Sequence, residues 1–566
     1  MQSIIRYLPL ALLILCMGTA CKKYIDVTNP DTLVDPTFWK TENSVRTYAW
    51  EFYNSFPGFG NNASTNGDFY FPTLTDDQAP PSFTQFPLTV PTTSLDWTIN
   101  TTYLVGSTWN YAFVSFGYIR KANIMLERVD LVPMADEAKN HWKGVAHFFR
   151  ALQYFKLIQE FGGVPWYSHS TQISDSGQIY KPRDTHQLVM DSVLADLNFA
   201  LANLRQTDQT NTINKDVALA LKARVCLYEG TYRKYHTELT LPDANKYLTE
   251  AYNAAQTLIS GGTYSLDKSY QTAYNSESLA PDKEIILYKR YEPTVLQHSL
   301  IAYLYSSTAM NGPSKSAIES YLCTDGKPIS ISPLYGGDDT ITHLIANRDG
   351  RLGITIDTSY LYYINHVKNG LSSSTGYRPI KFLPDTARLK AYPTNISANT
   401  SDAPLFWLAE VYLNYAEAAA ELGNITQTDL DNTINKLRDR AGVAHLTLDP
   451  GFNDPKRDAD VSPLIWEIRR ERRVELMMDG FRFQDLMRWK KGIYMDSQKN
   501  PDSFLGAKVP DNGKVKRNAD GYIMPYPATQ QRAFVDPKNY LSPVPSSQIQ
   551  LYPLNMQKDM QNPGWQ

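Results

Sequence analysis

The sequence predicts a mostly α fold in which a scaffold of paired helices carries a long irregular, loop-rich half. Three observations lead there. Apolar residues recur at helical spacing in two blocks, 110–261 and 404–490. At 57–109 and 264–403 that periodicity is lost, and Gly, Asn, Ser, Thr and Pro take over. Small residues, among them Ala218, Ala220 and Ala223, punctuate the helical blocks where neighbouring helices would touch.

In chain order, Arg6 precedes an apolar run over 8–17, then Gly18-Thr19-Ala20 and Cys21. This reads as a signal peptide over residues 1–20, too short to span a bilayer as a stable helix. A Cys placed directly after small residues resembles a bacterial lipoprotein box, in which Cys21 takes the lipid. Residues 21–36 are a polar, Pro-containing tether, and 37–566 form one body with a loop-like tail over 491–566. Phe38, Val45, Tyr48, Phe52 and Phe56 mark a first helix. A structureless loop as long as 57–109 is usually functional. Helices over 112–129 and 137–161 form an antiparallel pair, closed by Gly162-Gly163-Val164-Pro165. Thr185 caps the next helix, where Met190, Leu194, Leu197, Leu201 and Leu204 share a face. Two more follow at 216–229 and 243–259, and such pairs resemble tetratricopeptide repeats. A strand is expected at 284–291, and helices return at 404–422, 429–441 and 464–489. In the last block Gly480 is expected to stop the first of two helices. Glu467 with Arg470, and Arg472 with Glu475, stand at i,i+3 and are expected to pair. This crowd of charges reads as a structural network that locks the scaffold.

The composition narrows the function. A net charge of -3 shows no basic excess, so nucleic acid is not an expected partner. Once Cys16 leaves with the signal and Cys21 is lipidated, Cys226 and Cys323 remain. Cys226 sits in an apolar helical pattern, and a single disulfide between the two is the one pairing open to them. Nine His occur without an HExxH motif, although Glu137 and His141 share a helix face. No cofactor is expected. Asn61, Asn62, Asn66, Asp68, Asp76 and Asp77 offer oxygens for a structural calcium ion at most. No GxSxG nucleophile is present. Asp76-Asp77 and the acids of 467–479 are numerous enough for glycoside hydrolysis. Acids adjacent in sequence, however, seldom face each other across a substrate. The aromatic loops remain. Flat rings such as Trp97 and Tyr70 suit the apolar faces of a sugar, while Asn, Asp, Gln and Arg suit its hydroxyl rim. For any single ring, packing of the loop onto the helices is the competing reading.

A set of segments then becomes recognisable: CKKYIDVTNPDTLVDPTFWKTE at 21–42, IRKANIMLERV at 119–129, FRALQYFKLIQEFGGVPW at 149–166 and ALKARVCLYEG at 220–230. YLCTDGKPI at 321–329, NRDGRLGITI at 347–356, GYRPIKF at 376–382, WLAEVYLNYAEA at 407–418, INKLRDRAG at 434–442, the charged stretch at 464–490 and QNPGW at 561–565 follow. In this order they resemble the SusD/RagB family of nutrient-binding lipoproteins of Gram-negative outer membranes. The resemblance implies a tetratricopeptide-like scaffold with an irregular ligand-binding half, no catalysis, and a place at the cell surface. There such a protein covers a SusC-like, TonB-dependent transporter and captures oligosaccharides or, in some members, peptides. It implies a ligand role for the loop around Thr75, Asp76 and Asp77, and for the middle insertion, where Tyr291, Tyr303, Tyr305 and Tyr335 are available. Trp109 resembles part of the first scaffold helix, which leaves Trp97 as the better platform. Lys22-Lys23 depart from the acidic residues that often follow the lipidated Cys of surface-exported lipoproteins.

Overall fold

The structure is a computed structural model that describes residues 38–62, 67–90, 116–171, 174–304, 309–358, 372–384, 398–511 and 515–565. Cys21, Asn66, Trp97, Trp109 and Tyr305 lie outside the described residues.

Helix α1 (Glu42–Trp50) starts at a Thr41 capping box and runs into a 3-10 turn, Glu51–Ser55. After the two-residue strand β1 (Gln78–Ala79) comes the scaffold proper. It comprises α2 (Phe116–Arg128), α3 (Asp136–Phe161), α4 (His186–Asn203), α5 (Lys215–Tyr235) and α6 (Ala244–Gly261). Consecutive helices pack on one another, most extensively α3 with α4 and α5 with α6, as helical repeats require. Small residues set the spacing. A Cβ on Gly230 of α5 would lie 2.7 Å from Leu248 Cγ of α6. Ala218, Ala220 and Ala223 are all buried.

The insertion returns through β2 (Ile285–Lys289) and the short strands β3 (Ala309–Met310), β4 (Gly312–Pro313) and β5 (Ser372–Ser373). It ends in β6 (Ala403–Trp407). β2 and β6 pair antiparallel, Ile285 opposite Trp407 and Lys289 opposite Ala403, and tie the insertion to the scaffold. β1 pairs antiparallel with β4, and β3 parallel with β5. The helix expected from 404 therefore begins later, as α7 (Leu408–Glu421), because residues 403–407 serve the sheet first. The helix expected over 429–441 is two, α8 (Gln427–Asn432) and α9 (Ile434–Ala441), broken at Thr433 with φ -131° and ψ -87°.

The charged stretch forms α10 (Pro463–Glu475) and α11 (Arg482–Arg488). Gly480 does not end α10; the helix stops at Glu475, and Met478 takes φ +63°. The reason is tertiary. Carbonyls freed by the unwound turn accept bonds from distant donors: Glu475 O from Tyr270 Oη at 2.7 Å, Met477 O from Lys381 Nζ at 2.9 Å, and Met478 O from the Tyr70 amide at 2.8 Å. Glu467 and Arg470 do pair, at 3.1 Å. Arg472 and Glu475 do not. Arg472 points its Nε–H between the two oxygens of Asp485, at 3.0 and 2.8 Å, and donates through Nη1 to Asn414 at 2.8 Å. Glu475 is shared by Arg351 at 2.6 Å and Arg440 at 2.5 Å. Cys226 and Cys323 are both buried free thiols, so the disulfide open to them from sequence is not formed.

Candidate functional site

The irregular half is held to the scaffold by buried polar contacts, and these decide which candidate residues face outward. The loop over 67–90 is pinned at three places. Gly67 lies so close to the 58–60 turn that a Cβ would stand 2.6 Å from Phe59 C. Asp76 and Asp77 are clasped by α10 and α11: Arg482 donates twice to Asp76 at 2.8 Å, and Arg473 donates to Asp77 at 2.7 Å. Arg532, fully buried in the tail, donates to the carbonyls of Thr75 at 2.8 Å, Thr73 at 3.2 Å and Thr84 at 3.2 Å. Burial alone pushes Arg532 down to about 10, since its hydrogen-bond partners here are neutral oxygens.

These contacts revise the candidates. Asp76 and Asp77 were expected beside the ligand or a calcium ion, but they are buried and their charge is met by guanidinium groups. Burial opposes ionisation of Asp76, yet Arg473 and Arg482 outweigh it and hold the carboxyl at about 2. Burial, with Asp76 beside it, pushes Asp77 up. Tyr70 is no platform. Its φ is +65°, its ring is fully buried, and its hydroxyl donates to Asn311 O at 3.3 Å. Tyr291 is buried too, donating to Gly60 O at 2.7 Å and accepting the Phe59 amide at 3.0 Å. Both rings plug loops onto the core. Of the oxygens weighed for calcium, Asn61 Oδ1 takes Lys289 Nζ at 2.7 Å. Among the described residues no group of three His, Cys, Asp or Glu is placed to hold a metal.

Two candidates keep exposed surface. Tyr303 stands edge-on to Phe71, ring centres 5.5 Å apart, and Phe71 in turn meets Tyr70 at 5.5 Å. Beside them β3 and β5 run together, and Ser374 ties β5 to Ala79 O. Tyr335 is half-buried over the Arg348 guanidinium, 5.4 Å from the ring centre. Burial first, then the charge of Asp338, pushes its phenol up to about 12. Asp338 also accepts the Tyr522 hydroxyl at 2.6 Å, and Lys315 and Lys508 lie 4.8 and 5.6 Å from the Tyr522 ring. Tyr522 was missed from sequence because the tail has no periodicity. So was Arg532, a lone arginine in a loop. The loops thus present two partly exposed ring clusters, Tyr303 with Phe71 and Tyr335 near Tyr522, the second edged by carboxylate, ammonium and hydroxyl groups. That composition covers apolar ligand faces and hydrogen-bonds their rims.

Comparison with known proteins bears on this geometry. A family model described as SusD family matches residues 283–565, and one described as starch-binding associating with outer membrane matches residues 24–227. The SusD-like protein P38 of Formosa agariphila is 24% identical over 504 residues, covering 85% of this chain and 91% of its own. A SusD-like carbohydrate binding protein of Bacteroides fragilis superposes with TM-score 0.69 at 20% identity, covering 91% of this chain and 99% of that one. Surface glycan-binding protein A of Bacteroides fluxus does so with TM-score 0.58 at 17% identity, covering 93% and 100%. The two structural likenesses are likenesses of fold.

Proposed function

The chain belongs to the SusD family, and from that premise we propose that it is a non-catalytic lipoprotein that captures oligosaccharides at the cell surface. Cys21 carries the lipid, the loop face binds the glycan, and a SusC-like, TonB-dependent outer-membrane transporter receives it. The observation that carries this reading is the pair of ring clusters on these loops, where Tyr303, and separately Tyr335 and Tyr522 around Asp338, keep accessible surface. The relatives' names agree with a glycan ligand. Among the described residues no helix is long and apolar enough to cross a membrane, which accords with lipid anchoring. Asp76 and Asp77 spend their charge on arginines, which argues against their serving as a hydrolytic pair.

The test is native gel electrophoresis of the purified protein in gels containing a panel of polysaccharides, with Trp97→Ala and Tyr303→Ala alongside. Retardation by one glycan, weakened in either variant, supports the reading. Binding to peptide mixtures and to no glycan selects peptide capture by the same face. Release of reducing ends from any glycan by pure protein makes it a hydrolase.

A further inference from the structure

A cavity lies where the unwound turn after α10 meets α3, α5 and β6. Its volume is about 170 Å³, and Phe56, Phe69, Phe155, Trp407 and Phe481 form its apolar wall. At about 30 Å³ per water it has room for five or six waters, the size of a small amino acid. Most charges that face it are already matched. Arg224 donates to both oxygens of Glu410 at 2.6 Å, Arg488 to both of Glu417 at 2.7 Å, Arg472 pairs with Asp485 at 2.8 Å, and Asp479 with Lys381 at 2.7 Å.

Four polar groups stand outside this pairing. The Trp407 indole N–H is buried without an acceptor, and Gln484 Oε1 is buried without a donor. Lys156 donates to Ser55 O at 3.1 Å, and among the described residues no carboxylate pairs with it within 4 Å. Asp68 has no cation in contact among the described residues, but Lys156, then Arg224 and Lys289, act on it through space. The cavity therefore holds one anion and one cation that act on each other from beyond contact, one spare donor and one spare acceptor. Burial pushes the Asp68 carboxyl up and Lys156 down to about 8, against the attraction each exerts on the other.

We propose that this cavity is a binding site for a small zwitterion, a molecule of amino-acid size with one ammonium and one carboxylate. Its ammonium meets Asp68 and Gln484 Oε1; its carboxylate meets Lys156 and the Trp407 N–H. A neutral polyol of equal size answers the neutral groups but brings no charged group into contact with Asp68 or Lys156. The site is independent of the glycan reading, and neither stands or falls with the other.

Isothermal titration calorimetry of the purified protein at pH 7 tests it. The probes are glycine, L-alanine and L-serine, with glycerol and D-glucose as polyols, and acetate and ethylammonium as single charges. Saturable heat with at least one zwitterion is expected. Asp68→Asn, Lys156→Met and Trp407→Phe should each weaken it by about tenfold or more, the size of one lost charge-assisted bond. Gln484→Ala, at a partly accessible position on α11, serves should a deeper variant fail to fold, and it too should weaken the zwitterion. The site is overturned by the absence of heat with all three zwitterions, by a polyol that binds as tightly, or by wild-type affinity in folded Lys156→Met and Gln484→Ala.

Discussion

Arg473 on α10 donates to the Asp77 carboxylate at 2.7 Å across 396 residues of sequence, and both side chains are nearly enclosed. Removing Arg473 strands the buried Asp77 charge, which costs about 3–5 kcal/mol, whereas Arg473 keeps Asp76 at 3.1 Å when Asp77 is removed. Arg473→Ala should therefore lower the urea midpoint more than Asp77→Ala, and the double variant should cost less than the sum of the two singles. Additive losses in the double variant would mean that the pair is not coupled.

The two tyrosines of the Phe71 cluster should separate in experiment. Tyr70→Ala opens a void in the core and is expected to cost about 3–5 kcal/mol of stability. Tyr303→Ala removes a partly exposed ring, so its stability loss should be under about 1 kcal/mol. If the loop face is the glycan site, Tyr303→Ala weakens retardation in glycan gels while Tyr70→Ala acts on the melting temperature. The reverse pattern would place the site elsewhere.

Gly480 has φ +86°, and a Cβ there would stand 2.4 Å from the Asp68 carbonyl oxygen. The left-handed backbone alone costs a side chain about 1–2 kcal/mol. Gly480→Ala should exceed that figure in chemical denaturation, because the contact is with backbone that cannot swing aside. A cost below it would show that the 58–68 loop yields freely.

Glu160 sets a pH dependence. Burial pushes its carboxyl up to about 8, against a weaker opposing bond from Ser542. The folded state thus keeps a proton that the unfolded chain releases near pH 4.3. Stability from this group is complete below about pH 4 and falls as pH rises towards 8, where the folded carboxyl ionises. Glu160→Gln holds the neutral form at every pH. Its melting temperature relative to the parent should rise between pH 5 and 8, and a difference that stays constant with pH would contradict the assignment.

With Cys226 and Cys323 both free and buried, reducing agent should leave the melting temperature unchanged. After unfolding without reductant, both thiols should react with a colorimetric disulfide reagent. A melting temperature that drops on reduction would restore the bond.

The helices were legible where one face was apolar and one end was capped by a neighbour in sequence. Thr185 caps Leu188, and α4 runs from His186 as its spacing requires. The end of α10 was not legible, because Tyr70, Tyr270 and Lys381, which take over its carbonyls, are remote in sequence. β6 was hidden for a similar reason: an apolar run of five residues reads equally as helix start or strand until its partner is known. For the site, loop aromatics carry no local mark of direction. Tyr70 and Tyr303 look alike in sequence, and only the packing around Asn311 and Phe71 buries one and leaves the other partly open.

Arg532 has a consequence for the order in which the molecule is made. It braces the Thr73–Thr75–Thr84 turn but follows Thr75 by 457 residues. The helical pairs form from neighbours and can assemble as the chain emerges, whereas this turn has no brace until almost the whole polypeptide has been synthesised. The 73–84 loop is thus the last part to be completed, and a chain cut short before residue 532 would keep its helical hairpins while this loop stayed unset.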